Sequence, residues 1–132
     1  MNQSARTTML FAAIFGGIAV VIGAFGAHGL KPLLNDYQIL IFEKGVQYQF
    51  YHSFALGLTA LMQNMLDDAR RLNIARWLFT AGIICFSGSL YLLACRDLLP
   101  MSVAWAGPIT PLGGLGFIGG WGLLAMSAAR RG

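Results

Sequence analysis

The chain has 132 residues, 57% of them hydrophobic and only 11% charged, with a mean hydropathy of +0.65. A soluble domain normally carries about 25% charged residues, so the composition excludes a water-clothed globule and leaves a single membrane domain, residues 1–132. A net charge of +4 raises nucleic acid as a partner, but the nine basic residues stand in ones and twos at the ends of apolar runs rather than in a patch, which argues against it.

Four runs carry no charge: Thr7 to Leu30, Gly45 to Leu66, Trp77 to Cys95, and Leu98 to Ala129. A hydrocarbon core about 30 Å thick takes roughly 20 helical residues. Helices are therefore expected near 8–29, 45–66, 74–95 and 111–129, packed as a compact antiparallel bundle of four transmembrane helices in an all-α protein. Alternation puts Arg6, Arg70, Arg71, Arg76, Arg130 and Arg131 on one side, and Lys31, Lys44 and Arg96 on the other. The excess of bases predicts that both termini are cytoplasmic. Arg6 followed by an apolar run with Ala24 and Gly26 also fits a cleaved signal, but the run is longer than the 7 to 15 residues usual for a signal core.

Between the first two runs, Leu30, Leu33, Leu34, Tyr37 and Ile41 fall at helical spacing. They fit either a short amphipathic surface helix or an extension of the second helix. Asp67 to Asn73 reads as a charged cytoplasmic turn. From Arg96 to Pro111 the three prolines Pro100, Pro108 and Pro111 oppose a continuous helix, and Pro111 suits the first turn of the last one. Cys85 and Cys95 would lie about 15 Å apart along one helix, too far to pair. Cys85 reads as packing, and Cys95 as an outer-edge thiol available only to another chain.

Helices in lipid associate where small residues let backbones approach. Ala19, Gly23 and Ala27, then Ser53 and Gly57, then Ala81, Cys85 and Ser89, then Gly116 and Gly120 offer one such seam per helix. Surplus small faces would also serve self-association. The stretch Gly114-Leu-Gly116-Phe-Ile-Gly119 formally matches a dinucleotide fingerprint, but that motif needs a preceding strand and a solvent-facing helix start. Inside an apolar run it reads as helix packing.

Polar residues gather in the outer half of the expected bundle. His28 ends the first helix there; Tyr48, Gln49 and His52 lie in the upper turns of the second; Ser87, Ser89 and Tyr91 are near the outer end of the third; Thr110 opens the fourth. Polar groups in a membrane interior either satisfy one another or line a cavity. The plain reading is an interhelical hydrogen-bond network, and the functional one is a pocket for a small ligand, ion or lipid headgroup. Hydrolase chemistry is poorly supported, because Glu43 is nine residues from His52 and no nucleophile elbow occurs. Two histidines alone make a poor zinc site. A bis-histidine haem is conceivable by leaflet only, so no metal and no cofactor are expected. No ring of charges crosses the inner half, which disfavours an ion channel.

These segments also carry a resemblance. Gly23-Ala-Phe-Gly-Ala-His28-Gly29, Tyr48-Gln49 followed by His52, Phe86-Ser-Gly-Ser-Leu-Tyr91, and Thr110-Pro-Leu-Gly-Gly114 with Phe117 and Gly120-Trp121 resemble the signature segments of the family called domain of unknown function 423. That family of small bacterial inner-membrane proteins is itself similar to eukaryotic transmembrane protein 256. The likeness runs from about Met9 to Met126. It implies four spans and a bacterial plasma-membrane location, and it implies no activity. It also marks His28, Tyr48, Gln49, His52, Ser87, Ser89, Tyr91, Thr110 and Pro111 as the best candidates for any site.

Two function classes follow. One is a non-enzymatic structural or accessory protein of the lipid bilayer, packing as a homo-oligomer or within a larger membrane complex. The other binds or transports a ligand through an outer polar cavity. A dry, bonded cluster favours the first; a cavity with unpaired donors favours the second.

Overall fold

The computed structural model describes residues 1–130, so Arg131, counted above among the terminal bases, lies outside the described residues. Four helical rods make up the fold. The first is α1 (Gln3–Phe25), capped by the Asn2 side chain, which accepts from the Ala5 amide at 2.8 Å. It runs on through a π turn, Gly26–Leu30, and a 3-10 turn, Lys31–Leu33. Helix α2 (Asp36–Met65) is one unbroken rod of 30 residues. Of the two readings left open for Leu30 to Ile41, the extension of the second helix holds from Asp36 on, taking in Tyr37 and Ile41, while Leu30 and Leu33 continue the first rod. The start of α2 is fixed by a capping box in which Asn35 accepts from the Gln38 amide at 2.8 Å and the Gln38 side chain accepts from the Asn35 amide at 3.0 Å.

The third rod joins α3 (Ala69–Gly82) to α4 (Gly88–Ala94) through a second π turn, Ile83–Ser87. Two 3-10 turns, Arg96–Leu98 and Ala104–Ala106, carry the chain to α5 (Ile109–Ala129), with Pro111 in its first turn. No strand occurs among the described residues.

Helix α2 is the hub. It packs along α1 on one side and against α3, α4 and the second π turn on another, while α3 packs on α5. Asn2 touches Gln63 and Asn64, and Arg130 touches Asp67, so both ends of the chain lie at one end of the bundle. The apolar core falls in two parts. One, around Leu56, Leu72, Phe79, Ile83, Phe117 and Leu124, fills the middle and the end near the termini; the other, Leu30, Leu34, Phe42 and Ala94, closes the far end.

Among the described residues three stretches are long and apolar enough to cross a membrane: Gln3–Leu33, Ala69–Ala94 and Ala104–Ala129. Helix α2 has the length but not the composition. A charge-free run is a weaker criterion than an apolar one, and Gln47, Gln49, His52, Ser53, Gln63 and Asn64 lower its hydropathy.

Glycines set the distance between the third rod and α5. A Cβ on Gly113 would stand 2.4 Å from the Phe86 backbone nitrogen, and Cβ atoms on Gly82 and Gly120 would each stand 2.6 Å from the rings of Phe117 and Phe79. Of the expected seam Ala81, Cys85, Ser89 only Ser89 is buried, since Ala81 is exposed and Cys85 half-exposed. The third rod turns Ala75, Phe79 and Gly82 inward instead, so aromatic rings sit on opposing glycines. Gly114 and Gly119 of the apparent dinucleotide fingerprint lie within α5.

Candidate functional site: the polar face of helix α2

Depth along the rods groups the predicted polar residues, but azimuth separates them. A helix turns about 100° per residue, so the adjacent Tyr48 and Gln49 face different neighbours. Gln49 bridges three helices: its Oε1 accepts from the Tyr91 hydroxyl at 2.7 Å, and its Nε2 donates to the Phe15 carbonyl of α1 at 2.9 Å. Beside it the buried Ser87 hydroxyl donates to the Gly45 carbonyl at 2.7 Å. Gly45 is required there, because a Cβ would stand 2.8 Å from the Tyr91 ring.

His52 belongs to a second group, near the middle of the bundle rather than its outer half. It is 5% exposed and stacks on Phe117 with ring centroids 3.5 Å apart and planes 7° apart. Phe79 and Tyr48 pack on it at 5.8 Å each. Trp121 Nε1 donates to His52 Nε2 at 3.2 Å. That nitrogen must therefore carry a lone pair, so the proton is on Nδ1, which donates to the Tyr48 carbonyl at 2.7 Å. Both ring nitrogens are engaged, and a metal or haem iron would have to displace one of them.

Ser89 and Thr110 form a third group, a hydroxyl pair at 2.5 Å joining α4 to α5. His28 stands apart, exposed on the first π turn. The expectation of one outer cluster is thus corrected to three separate contacts and an outlier. Among the described residues no three His, Cys, Asp or Glu side chains group as metal ligands. Cys95 is half-buried against the far-end apolar cluster of Leu30, Leu34, Phe42 and Ala94.

One concave surface lies elsewhere on α2. A cavity of 220 Å³ opens between the end of α1 and the start of α2, with Lys31, Glu43 and Gln47 among its lining residues. None of the eight predicted site residues lines it.

A second polar network, unread in the sequence, ties the chain ends together. Asn2 Nδ2 donates to the Gln63 carbonyl at 2.7 Å, the Ser4 hydroxyl and Gln63 Nε2 both donate to Asn73 Oδ1, and Arg76 reaches Ser4. Gln63 Oε1 and Arg76 Nε are buried without a hydrogen-bond partner among the described residues. Nearby Asp68, 7% exposed, accepts from Arg71 and from Ser127, each at 3.0 Å, and lies 3.7 Å from Arg130. Burial pushes its carboxyl up, but the hydrogen bonds and the two guanidinium charges outweigh it and hold the group below the usual carboxylate range. The signal available in the sequence was Asn2 ahead of the first run, Gln63 and Asn64 at the end of the second and Asn73 ahead of the third. Trp121 appeared only as part of a family segment and was not assigned to His52.

Comparison with known proteins agrees with a membrane location. The model of the family described as protein of unknown function (DUF423) matches residues 22–114. The chain is 38% identical over 125 residues to the UPF0382 membrane protein YwdK of Bacillus subtilis, covering 95% of this chain and 98% of the relative. A UPF0382 membrane protein of Staphylococcus epidermidis is 40% identical over 127 residues, covering 95% and 97%. The UPF0382 inner membrane protein YgdD of Escherichia coli is 38% identical over 135 residues, covering 97% and 93%. No solved structure matches the chain. With the family segments and an apolar helical fold in agreement, the chain belongs to the DUF423 family of membrane proteins.

Proposed function

We propose that the protein crosses a bacterial plasma membrane four times with both termini in the cytoplasm, and serves as a non-enzymatic structural or accessory component, packing with itself or within a larger membrane complex. The observation that carries this reading is the two-faced character of α2. Its polar side chains Gln49, His52 and Ser53 are buried against the other rods, and the His52 and Gln49 side chains use their hydrogen-bonding capacity on protein partners. Its exposed face from Phe50 through Tyr51, Phe54, Leu58 and Leu61 to Met65 is apolar and about 22 Å long at 1.5 Å per residue, which suits lipid. Polar groups satisfied inside the bundle are what a spanning helix of this composition requires.

Charge and aromatic placement support the orientation. The end near the termini carries Arg6, Arg70, Arg71, Arg76 and Arg130 against Asp67 and Asp68, whereas the far end carries Lys31, Lys44 and Arg96 against Asp36, Glu43 and Asp97, so the excess of bases lies with the termini. Exposed Trp77 near one end, and Tyr37 and Trp105 at the other, suit the two interfaces. The relative from Escherichia coli is named an inner membrane protein, in keeping with this location. A binding role draws support from a different feature, the cleft at Lys31 and Glu43.

The test is purification in mild detergent, with native mass spectra, a visible absorption spectrum and thermal unfolding of wild type and His52→Ala. A structural role predicts a lower melting point for the variant, a polar interhelical contact being worth roughly 0.6 to 2 kcal/mol, and no bound species lost from the His52 site. A chromophore or small ligand lost from His52→Ala at an unchanged melting point would overturn it.

A further inference from the structure

We infer that the groove between α1 and α2 is a phospholipid site that selects a headgroup bearing a primary amine. The inference rests on α2 lying in the bilayer as proposed above. Two cavities share Gly23, Val46 and Gln47 and so form one groove. The lower, 290 Å³, is lined by Ala19, Val20, Ala24, Phe50 and Tyr51 in addition, and is apolar apart from Gln47 and the Tyr51 hydroxyl. The upper, 220 Å³, adds Lys31 and Glu43 at its rim. An apolar trough running down the bundle, topped by one ammonium and one carboxylate, has the polarity order of a lipid: acyl chain, ester region, charged headgroup.

Glycine makes the groove. The Phe42 ring lies so close to Gly26 that a Cβ there would stand 2.3 Å from it, and a Cβ on Gly23 would meet Val46 at 3.2 Å. The backbones therefore approach while the outer surface between them stays concave. Lys31 and Glu43 line one cavity, yet neither takes part in an ion pair among the described residues. Opposite charges held on one rim without pairing suit a zwitterion, with the phosphodiester on Lys31 and the headgroup ammonium on Glu43. Gln47, exposed between them and the trough, faces the ester level.

A carboxylate distinguishes amines by their protons. A primary ammonium donates up to three charge-assisted hydrogen bonds, and a trimethylammonium donates none. Phosphatidylethanolamine should therefore bind in preference to phosphatidylcholine with the same acyl chains, and the preference should depend on Glu43. An exposed pair in a screened setting limits the ratio to about fivefold.

The experiment is native mass spectrometry of the delipidated full-length protein titrated with acyl-matched phosphatidylethanolamine, phosphatidylcholine and phosphatidylglycerol. Expected are one-to-one adducts favouring phosphatidylethanolamine about fivefold, near parity with phosphatidylcholine for Glu43→Gln, weaker binding of all three for Lys31→Gln, and loss of the adduct for Ala24→Trp, which fills the trough from an exposed position. Equal adducts in wild type, a preference that Glu43→Gln leaves intact, or a dimer that buries the groove and keeps no lipid would overturn the inference. Glu43, Lys31 and Ala24 are exposed, so these variants should melt like wild type. Failure of the spanning reading is seen separately, as aqueous labelling of a cysteine at Phe54.

Discussion

His52 and Asp68 show how differently this chain handles polar groups at its middle and at its end. The imidazole is held by a π stack and two hydrogen bonds that fix its tautomer, so it acts as a joint between α2 and α5. Replacing it by alanine leaves the Trp121 indole without its acceptor and Phe117 without its stacking partner, a loss of roughly 0.6 to 2 kcal/mol. Asp68 is a joint of another kind, tying the start of α3 to Arg71 and to Ser127 at the end of α5. Its folded carboxyl lies below the ordinary value. Its contribution to stability is therefore complete above the unfolded value of about 3.9 and is lost as pH falls through the lower folded value. The melting point of wild type should drop more steeply than that of Asp68→Asn between about pH 5 and about pH 2; parallel curves would show that Asp68 contributes nothing through its charge.

The helical elements divide by how their contacts are made. Helices α3 and α5 meet through aromatic rings on glycines, where volume is the controlling quantity. Gly113→Ala drives a methyl into the Phe86 backbone, which a side-chain rotation cannot relieve, and overpacking of this kind costs about 1 to 3 kcal/mol or more. Gly122, on the same helix, has nothing within 4 Å of an added Cβ. Gly122→Ala should stabilise by about 0.5 to 1 kcal/mol through the lower entropy of alanine. Thermal unfolding of the two variants side by side separates packing from helix propensity, and equal shifts would contradict the assigned contact. Much of this level was legible beforehand. The apolar runs located the rods, and Asn35 with Gln38 spells a capping box that could have assigned residues 36–44 to α2. The packing azimuth was not legible: spacing four apart marked Ala81 and Cys85, whereas the fold uses Gly82, because ring-on-glycine packing leaves no pattern in one helix alone.

At the scale of the whole molecule, α2 carries the polar residues that would be costly in lipid and presents an apolar face outward. Sequence alone placed those residues at one depth, which is why a single outer cluster was expected. Depth follows from counting residues, but which side chains meet follows from rotation about each rod, and the π turn at Ile83–Ser87 shifts that rotation midway along the third rod. The same arrangement leaves the concave groove on the α1 side of α2, where the small residues Ala19, Gly23 and Ala27 line it and none of the eight predicted site residues does. The central claim is that α2 spans the bilayer as the hub of a four-span bundle with its termini inside. The most direct test is labelling by a membrane-impermeant thiol reagent in a background lacking Cys85 and Cys95, with single cysteines at Met101, Phe54 and Arg70, all exposed on the isolated chain. Expected are labelling of Met101→Cys in intact cells, of Arg70→Cys only after permeabilisation, and of Phe54→Cys in neither. Labelling of Phe54→Cys would place α2 in water, and labelling of Arg70→Cys in intact cells would invert the molecule.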